Sequence, residues 1–276
     1  MIPSRRNVII GSGALLAAGS ARAQDHAGLL LTGRFAQGGH AIGRTWPRAL
    51  IFVDGESLTA ASADGWFIVG FDRDAAGSVQ IEARLNDRTA SRTLDIARGQ
   101  FPSTRIDGLP PSTVEPSDPE LLARIRREVV LKTEGFASRT DADHFHEGFD
   151  WPLEGFRVTS RWGSQRVLNG TPARPHYGID LAAPQGTAIR APAPGRVTLA
   201  TSGLHFEGGL VLIDHGQGLV SAYLHQSRIE VAAGQELRRG ETIGRVGMTG
   251  RATGPHLCWR LKWRDRNLDP SLLVKT

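Results

Sequence analysis

Cysteine is almost missing from this chain: Cys258 is the only one in 276 residues. An intrachain disulfide is therefore excluded, and the fold must be held by packing alone. Lysine is nearly as scarce, with only Lys132, Lys262 and Lys275, so arginine carries the basic charge. Aromatic residues make up just 7%. Apolar runs are short, and none reaches the ~20 residues that a membrane-spanning helix requires.

The longest apolar run, Val8 to Ala18, follows Arg5 and Arg6 and precedes Ala21-Arg-Ala23. Basic, apolar and small residues in that order form a secretory signal with an A-x-A cleavage site. The paired arginines after Ser4 resemble a twin-arginine signal. The expectation is removal of residues 1–23, export to the periplasm or cell envelope by the Tat route, and no stable membrane anchor afterwards. That segment holds three arginines and no acid, so its loss lowers the net charge from +5 to +2. A balance so near neutral gives no support for a nucleic-acid partner.

The rest of the chain reads as all-β with one helical interruption. Short β-rich runs from Leu29 to Ile96, separated by turn pairs such as Asp54-Gly55 and Asp64-Gly65, predict a small β-sandwich over residues 27–108. His40 follows two glycines and reads as a solvated loop residue. Residues 109–143 read as a Pro-rich linker with a connector helix. Ser117 and Asp118 are candidate caps, Pro119 opens the first turn, and Leu121, Leu122, Ile125 and Val129 form one stripe. The charge on its other faces suggests a solvated connector. From residue 144 to 276, Gly and Pro again punctuate short strands, which predicts a second β domain, closed or nearly closed to hide its edges.

Two segments carry the chemistry. His176-Tyr-Gly-Ile-Asp180 and His256-Leu-Cys258 each place metal-binding residue types at even spacing. In extended chain, residues i, i+2 and i+4 share a face. Two such strands could bring His, Asp and Cys to one point, and three protein ligands plus an open position is the catalytic zinc pattern. Cys258 also has a plainer reading, a small buried hydrophobe. His144 and His146 form a second even-spaced pair without an evident third ligand. His215 reads as a turn or supporting residue, His205 as a loop residue bordering the site, and Asn169 as a turn residue. Trp259 alternates with Cys258 and should pack in the core.

The ordered motifs resemble one family. His176-x-x-x-Asp180, Ala222-Tyr-Leu-His225 and Gly254-Pro-His256-x-Cys258 follow the pattern of the LytM/lysostaphin-type zinc metallopeptidases, peptidase family M23. Trp162-Gly163, Ala191 to Val197, Ile213-Asp-His-Gly216, Gly240 to Gly244 and Gly247-x-Thr-Gly250 match its connecting text. The resemblance spans roughly residues 150–272. It implies a β-sheet groove with one zinc that cleaves crosslink or stem peptides of peptidoglycan. His176 and Asp180 would be the first two zinc ligands, and His225 and His256 the catalytic pair. The family closes its site with H-x-H, and its second histidine, the third ligand, is Cys258 here.

Two consequences stay open at that position. A His-Asp-Cys site would bind zinc well, but two anionic ligands cancel the metal charge and should weaken it as an electrophile. Alternatively the site is degenerate, and the chain binds the wall or activates a cell-wall amidase, as some LytM-domain proteins do. A lipoyl-type swinging domain lacks support, because no lysine lies between Ala183 and Arg260.

Overall fold

The computed structural model describes residues 28–109 and 111–275. The expected signal residues Arg5, Arg6 and Ala23 lie outside the described residues. Seven strands build the first β region. One sheet orders Leu30–Arg34, His40–Arg44 and Trp66–Gly70; the other orders Glu56–Ala60, Leu50–Val53, Ser78–Leu85 and Arg88–Asp95. Alternation fixes which face packs: Val79, Ile81 and Ala83 are buried, while Ser78, Gln80 and Arg84 face out. Asp54 and Gly55 both take positive φ, 51° and 85°, and close the hairpin Leu50–Val53 to Glu56–Ala60. His40–Arg44 and Glu56–Ala60 escape sequence reading because they are short and rich in Gly, Ser and Thr.

The second β region centres on an eight-stranded antiparallel sheet. Its order is Glu236–Leu237, Gly195–Leu204, Gly208–Asp214, Leu219–Gln226, His256–Trp263, Ile179–Ala182 and Arg157–Ser160, with Arg266–Leu268 paired beside His256–Trp263. The sheet stays open rather than closing into a barrel. Short strands end both of its edges, which limits the exposed backbone that closure was expected to hide.

Trp259, Leu261 and Trp263 pack from this sheet into a hydrophobic cluster that also contains the sandwich residues Phe67, Val69 and Phe71. A Cβ on Gly70 would sit 2.7 Å from Leu268, so glycine lets that strand approach the hairpin. Backbone bonds continue the join: Asp269 donates to Gly38 and Asn267 donates to the Asp72 carboxylate. Strand Ser103–Ile106 runs parallel to Gln165–Leu168 in a separate small sheet.

The helix Pro119–Phe136 starts as its sequence suggests, with Asp118 as cap: its carboxylate accepts the Leu121 N–H at 2.7 Å. It is not a solvated connector, and its apolar stripe is not what docks. Val129 remains 49% exposed, whereas Glu128 and Gly135 are buried. Glu128 accepts bonds from the Arg124 Nε and the His205 backbone N–H. A Cβ on Gly135 would lie 2.7 Å from Leu212, so glycine lets the helix settle on the strand beneath.

His40 corrects a second expectation. It is buried at 4% exposure, opens a strand, and its Nδ1 has no hydrogen-bond partner among the described residues. Burial, helped by Arg34, lowers its pKa to about 3. The folded histidine thus stays neutral while the unfolded one takes a proton below its ordinary value. The unfolded state binds more protons, so stability falls as pH drops through that value. Between pH 7 and 5 this one group should cost about 2 kcal/mol. Urea denaturation at both pH values should show a smaller acid-side loss in His40→Leu than in the parent.

Candidate active site and metal centre

Cys258 sits in the middle of its strand, with Asp180 directly across on one side and Leu224 on the other. Cross-strand partners share a face. The Asp180 carboxylate and Cys258 thiol therefore stand side by side on the face opposite Trp259. His176 lies outside the regular strand Ile179–Ala182, but its backbone is pinned: it accepts from Gly163 at 2.7 Å and donates to Ser164 at 2.8 Å. Its Nε2 is 3.3 Å from Cys258 Sγ and 3.1 Å from Asp180 Oδ1. One donor atom from each residue falls within 4.8 Å of the other two.

Gly178 makes this convergence possible. A Cβ there would meet Cys258 Sγ at 2.8 Å and Arg260 Cγ at 2.9 Å. Only a residue without a side chain lets the His176–Asp180 segment lie this close to the cysteine strand.

Three imidazoles are oriented in the same way. The Nδ1 of His176 faces Ser160 Oγ at 3.0 Å, that of His225 faces the Thr249 carbonyl at 2.8 Å, and that of His256 faces the Gly254 carbonyl at 2.8 Å. A carbonyl only accepts, so neutral His225 and His256 carry their proton on Nδ1 and present a bare Nε2. Their rings lie 4.7 Å apart. His225 holds its place with a positive φ of 67°, a conformation rare for a residue with a side chain. Its N–H donates to Glu207 O at 2.9 Å.

Burial sets the charges. It lowers the His225 pKa to about 4. It also lowers that of His256, where Asp180, 3.8 Å away, partly opposes it. Burial works against charge on His176 too, but Cys258 and Asp180 beside it prevail and its pKa is raised. Asp180 is held well below the usual carboxylate range: burial opposes this, and His176, Arg166 and His256 overcome it.

Sequence reasoning missed the arginines. Arg166 Nη2 lies 3.1 Å from Asp180 Oδ2. Arg260 lies beside Cys258, which raises the arginine pKa against the opposing effect of burial. Arg260 could have been found, since it follows Cys258 by two on the same strand face. Arg166 comes from a distant strand and leaves no local signal. Glu207 was also missed; it receives Lys132 from the long helix at 2.5 Å and so ties that helix to the backbone position that holds His225.

Other histidines fall away from the site. His215 is fully buried, with Nδ1 on the Pro194 carbonyl and Nε2 on Ser221 Oγ. His146 stacks on Trp66 at 4.9 Å rather than joining His144 in a ligand pair. His205 faces the Ser112 carbonyl at 3.3 Å. Asn169 is the expected turn residue, with φ 48°, and its amide also brackets the Leu109 backbone.

A metal fits these residues. Asp180 Oδ1 is buried and accepts no hydrogen bond of good geometry among the described residues, although His176 Nε2 is near. It stands beside the imidazole and the thiol, and such an orphaned acceptor is costly without a cation. The description peptidase family M23 matches residues 174–270, which contain all five site residues. That segment carries a peptidase family M23 domain. A crystal structure assigned to peptidase M23 from Pseudomonas aeruginosa is 28% identical, with a TM-score of 0.66 over 87% of this chain and 95% of that one. The chain is 39% identical over 112 residues to the peptidoglycan DD-endopeptidase ShyA of Vibrio cholerae, covering 40% of this chain and 26% of ShyA. It is 27% identical over 224 residues to the murein hydrolase activator NlpD of Salmonella dublin, covering 78% of this chain and 56% of NlpD. The chain spans about a quarter of the length of the first curated relatives it matches.

Gly178 offers a direct test of how the centre is built. Gly178→Ala should destabilise the fold by about 1–3 kcal/mol, the usual cost of overpacking. Urea denaturation checks this, and an unchanged midpoint would mean that the two segments are not in close contact.

Proposed function

We propose that this M23 chain is a zinc-dependent endopeptidase that hydrolyses crosslink or stem peptides of peptidoglycan in the cell envelope. In this reading residues 144–276 form the peptidase unit, the sandwich 27–108 backs it, and residues 109–143 connect them. The observation that carries it is the convergence of His176, Asp180 and Cys258, with His225 and His256 beside them and an unbonded carboxylate oxygen between. Imidazole, carboxylate and thiolate are ordinary zinc ligands. When bound, zinc would supply a Lewis acid that makes water nucleophilic near neutral pH.

The chain's own residues do the rest. His225 and His256 each offer a bare Nε2 to a proton from the attacking water. Asp180 favours charge on both rings, but only His256 stands within ion-pair distance of it, at 3.8 Å. His256 is therefore the ring that retains the proton, and His225 the one that orients the water. A protonated His256 can then stabilise the negative charge growing on the scissile carbonyl oxygen. The charge problem posed by two anionic ligands is also eased. Arg166 stands against Asp180 and Arg260 against Cys258, one cation for each ligand. Hydrogen bonding to a cation weakens a ligand's donation to the metal, so zinc should stay a better electrophile than Asp and Cys alone would allow.

His225→Ala should keep near-stoichiometric zinc, measured by elemental analysis, while turnover of muropeptides falls ~10²-fold or more. Loss of zinc along with activity would place His225 among the ligands and undo the assignment.

Cys258 is the second test. Zinc should protect its thiol from alkylation, because a coordinated thiol is deprotonated and tied up. Cys258→Ser should bind zinc much more weakly. Cys258→His with Arg260→Gln would supply a neutral ligand without leaving a cation facing it. That variant should retain zinc and hydrolyse at a lower pH optimum. A second reading, a disarmed scaffold that binds the wall or activates an amidase, is favoured by the same arginines, which set a cation beside Asp180 Oδ2 and beside Cys258 without a metal. It gains the case if the parent never binds zinc and the double variant does.

A further inference from the structure

The strand that carries His256 and Cys258 does not stop at the site. Along its outward face His256 and Cys258 are followed, at every second position, by Arg260 and Lys262, and Arg264 lies in the turn that comes next. The inward face of the same strand is Leu257, Trp259, Leu261 and Trp263, all buried. Arg260, Lys262 and Arg264 line a cavity of about 990 Å³, walled on the other side by Val129, Lys132 and Phe136 of the long helix. Lys262 Nζ lies 5.4 Å from the Phe136 ring.

This cavity opens into the metal centre. His176, Arg166, Arg174, Arg251, Arg260 and Glu207 line both it and the smaller cleft of about 350 Å³ over His225, His256 and Cys258. Among the described residues, eight arginine and lysine side chains line the larger cavity against three acids. Two of the chain's three lysines are among them, in a protein that otherwise uses arginine. Some of that charge is spent: Lys132 is paired with Glu207 and Arg166 with Asp180. Lys262, Arg264 and Arg174 have no carboxylate within ion-pair distance among the described residues.

We propose that this cavity is a subsite for an acidic peptide segment, and that Lys262 and Arg264 bind its free carboxylates while a peptide bond farther along the segment lies over the metal centre. The inference rests on the stem-peptide reading of the site and gives it a chemical specificity. A flat solvated surface would not be walled by a helix or run on into the cleft over the site. Like charges gathered in a recess focus a positive potential, which raises the local concentration of anionic ligands. Stem peptides supply such anions as the carboxylates of their glutamate and diamino-acid residues. An amidated stem peptide would leave the cations unanswered and bind less well.

Calorimetry on the full mature chain tests the subsite with three probes: a stem-peptide fragment bearing two free carboxylates, the same peptide with both amidated, and inorganic phosphate. The diacid should bind about tenfold or more tighter than the diamide. Lys262→Met with Arg264→Met keeps an aliphatic side chain at each position, that at 262 beside Phe136, and should remove that preference without changing diamide affinity. The single variant Lys262→Met, should the double one fold poorly, is expected to lose part of the preference. Equal affinity for diacid and diamide in the parent would overturn the subsite, as would a preference that survives both substitutions. Phosphate competing as well as the diacid would show a general anion site and overturn the peptide assignment. The readout is binding, so a chain that prefers the diacid but never cleaves it keeps the subsite and loses only the hydrolase reading.

Discussion

The structure depends on setting a carboxylate and a thiol side by side in a buried place. Asp180 and Cys258 are cross-strand partners with 8% and 1% of their surfaces exposed. Acidic groups taken out of water must be answered by cations or hydrogen-bond donors. The surroundings are built around that need: Arg166, Arg260 and His176 converge on the pair from a neighbouring sheet, the same strand and the preceding segment. Glycine at 178 brings the segments close enough, and the Nδ1 contacts of the histidines leave the opposite nitrogens for chemistry.

The site also draws on parts of the chain that precede the family match at residues 174–270. Ile106 and Leu109 line the cleft over His225 and Cys258, placed there by the parallel pairing of Ser103–Ile106 with Gln165–Leu168. The long helix supplies one wall of the larger cavity and, through Lys132 and Glu207, reaches the backbone contact of His225. A segment that reads as a spacer is thus part of the groove. Any account of substrate choice must include it.

Legibility followed the range over which each signal acts. Even spacing within one extended segment revealed His176 with Asp180 and His256 with Cys258, because side-chain direction there is a local property. The core placement of Trp259 followed from the same alternation. Turn pairs revealed the hairpins of the sandwich for a similar reason. Arg166 and Ser160 were not legible, since each comes from a separate strand, and Glu207 was not, since it sits in a hairpin turn and is joined to the site by Lys132 of the helix and the His225 N–H. The helix misled in a different way. Its charged faces suggested a solvated connector, but the face that docks carries Glu128, Lys132 and Gly135, and the His205 N–H, Glu207 and Leu212 that meet them lie far along the chain. His40 misled because flanking glycines read as a loop, whereas they open a strand into the core.

The join between Arg266–Leu268 and the sandwich bears on how the molecule assembles. Arg266 Nη1 donates to the Gly70 carbonyl across 196 positions of sequence, and Leu268 seats against Gly70 itself. Such a clasp cannot form until nearly the whole polypeptide is present. Loop closure over that distance must be paid before the contacts reward it, so the topology favours slow, late consolidation. The sandwich, whose strands pair with near neighbours, can take shape early and wait. The Gly70 face of its strand would stay uncovered in that waiting state, and the last hairpin, with Leu268 and Trp263, is what covers it.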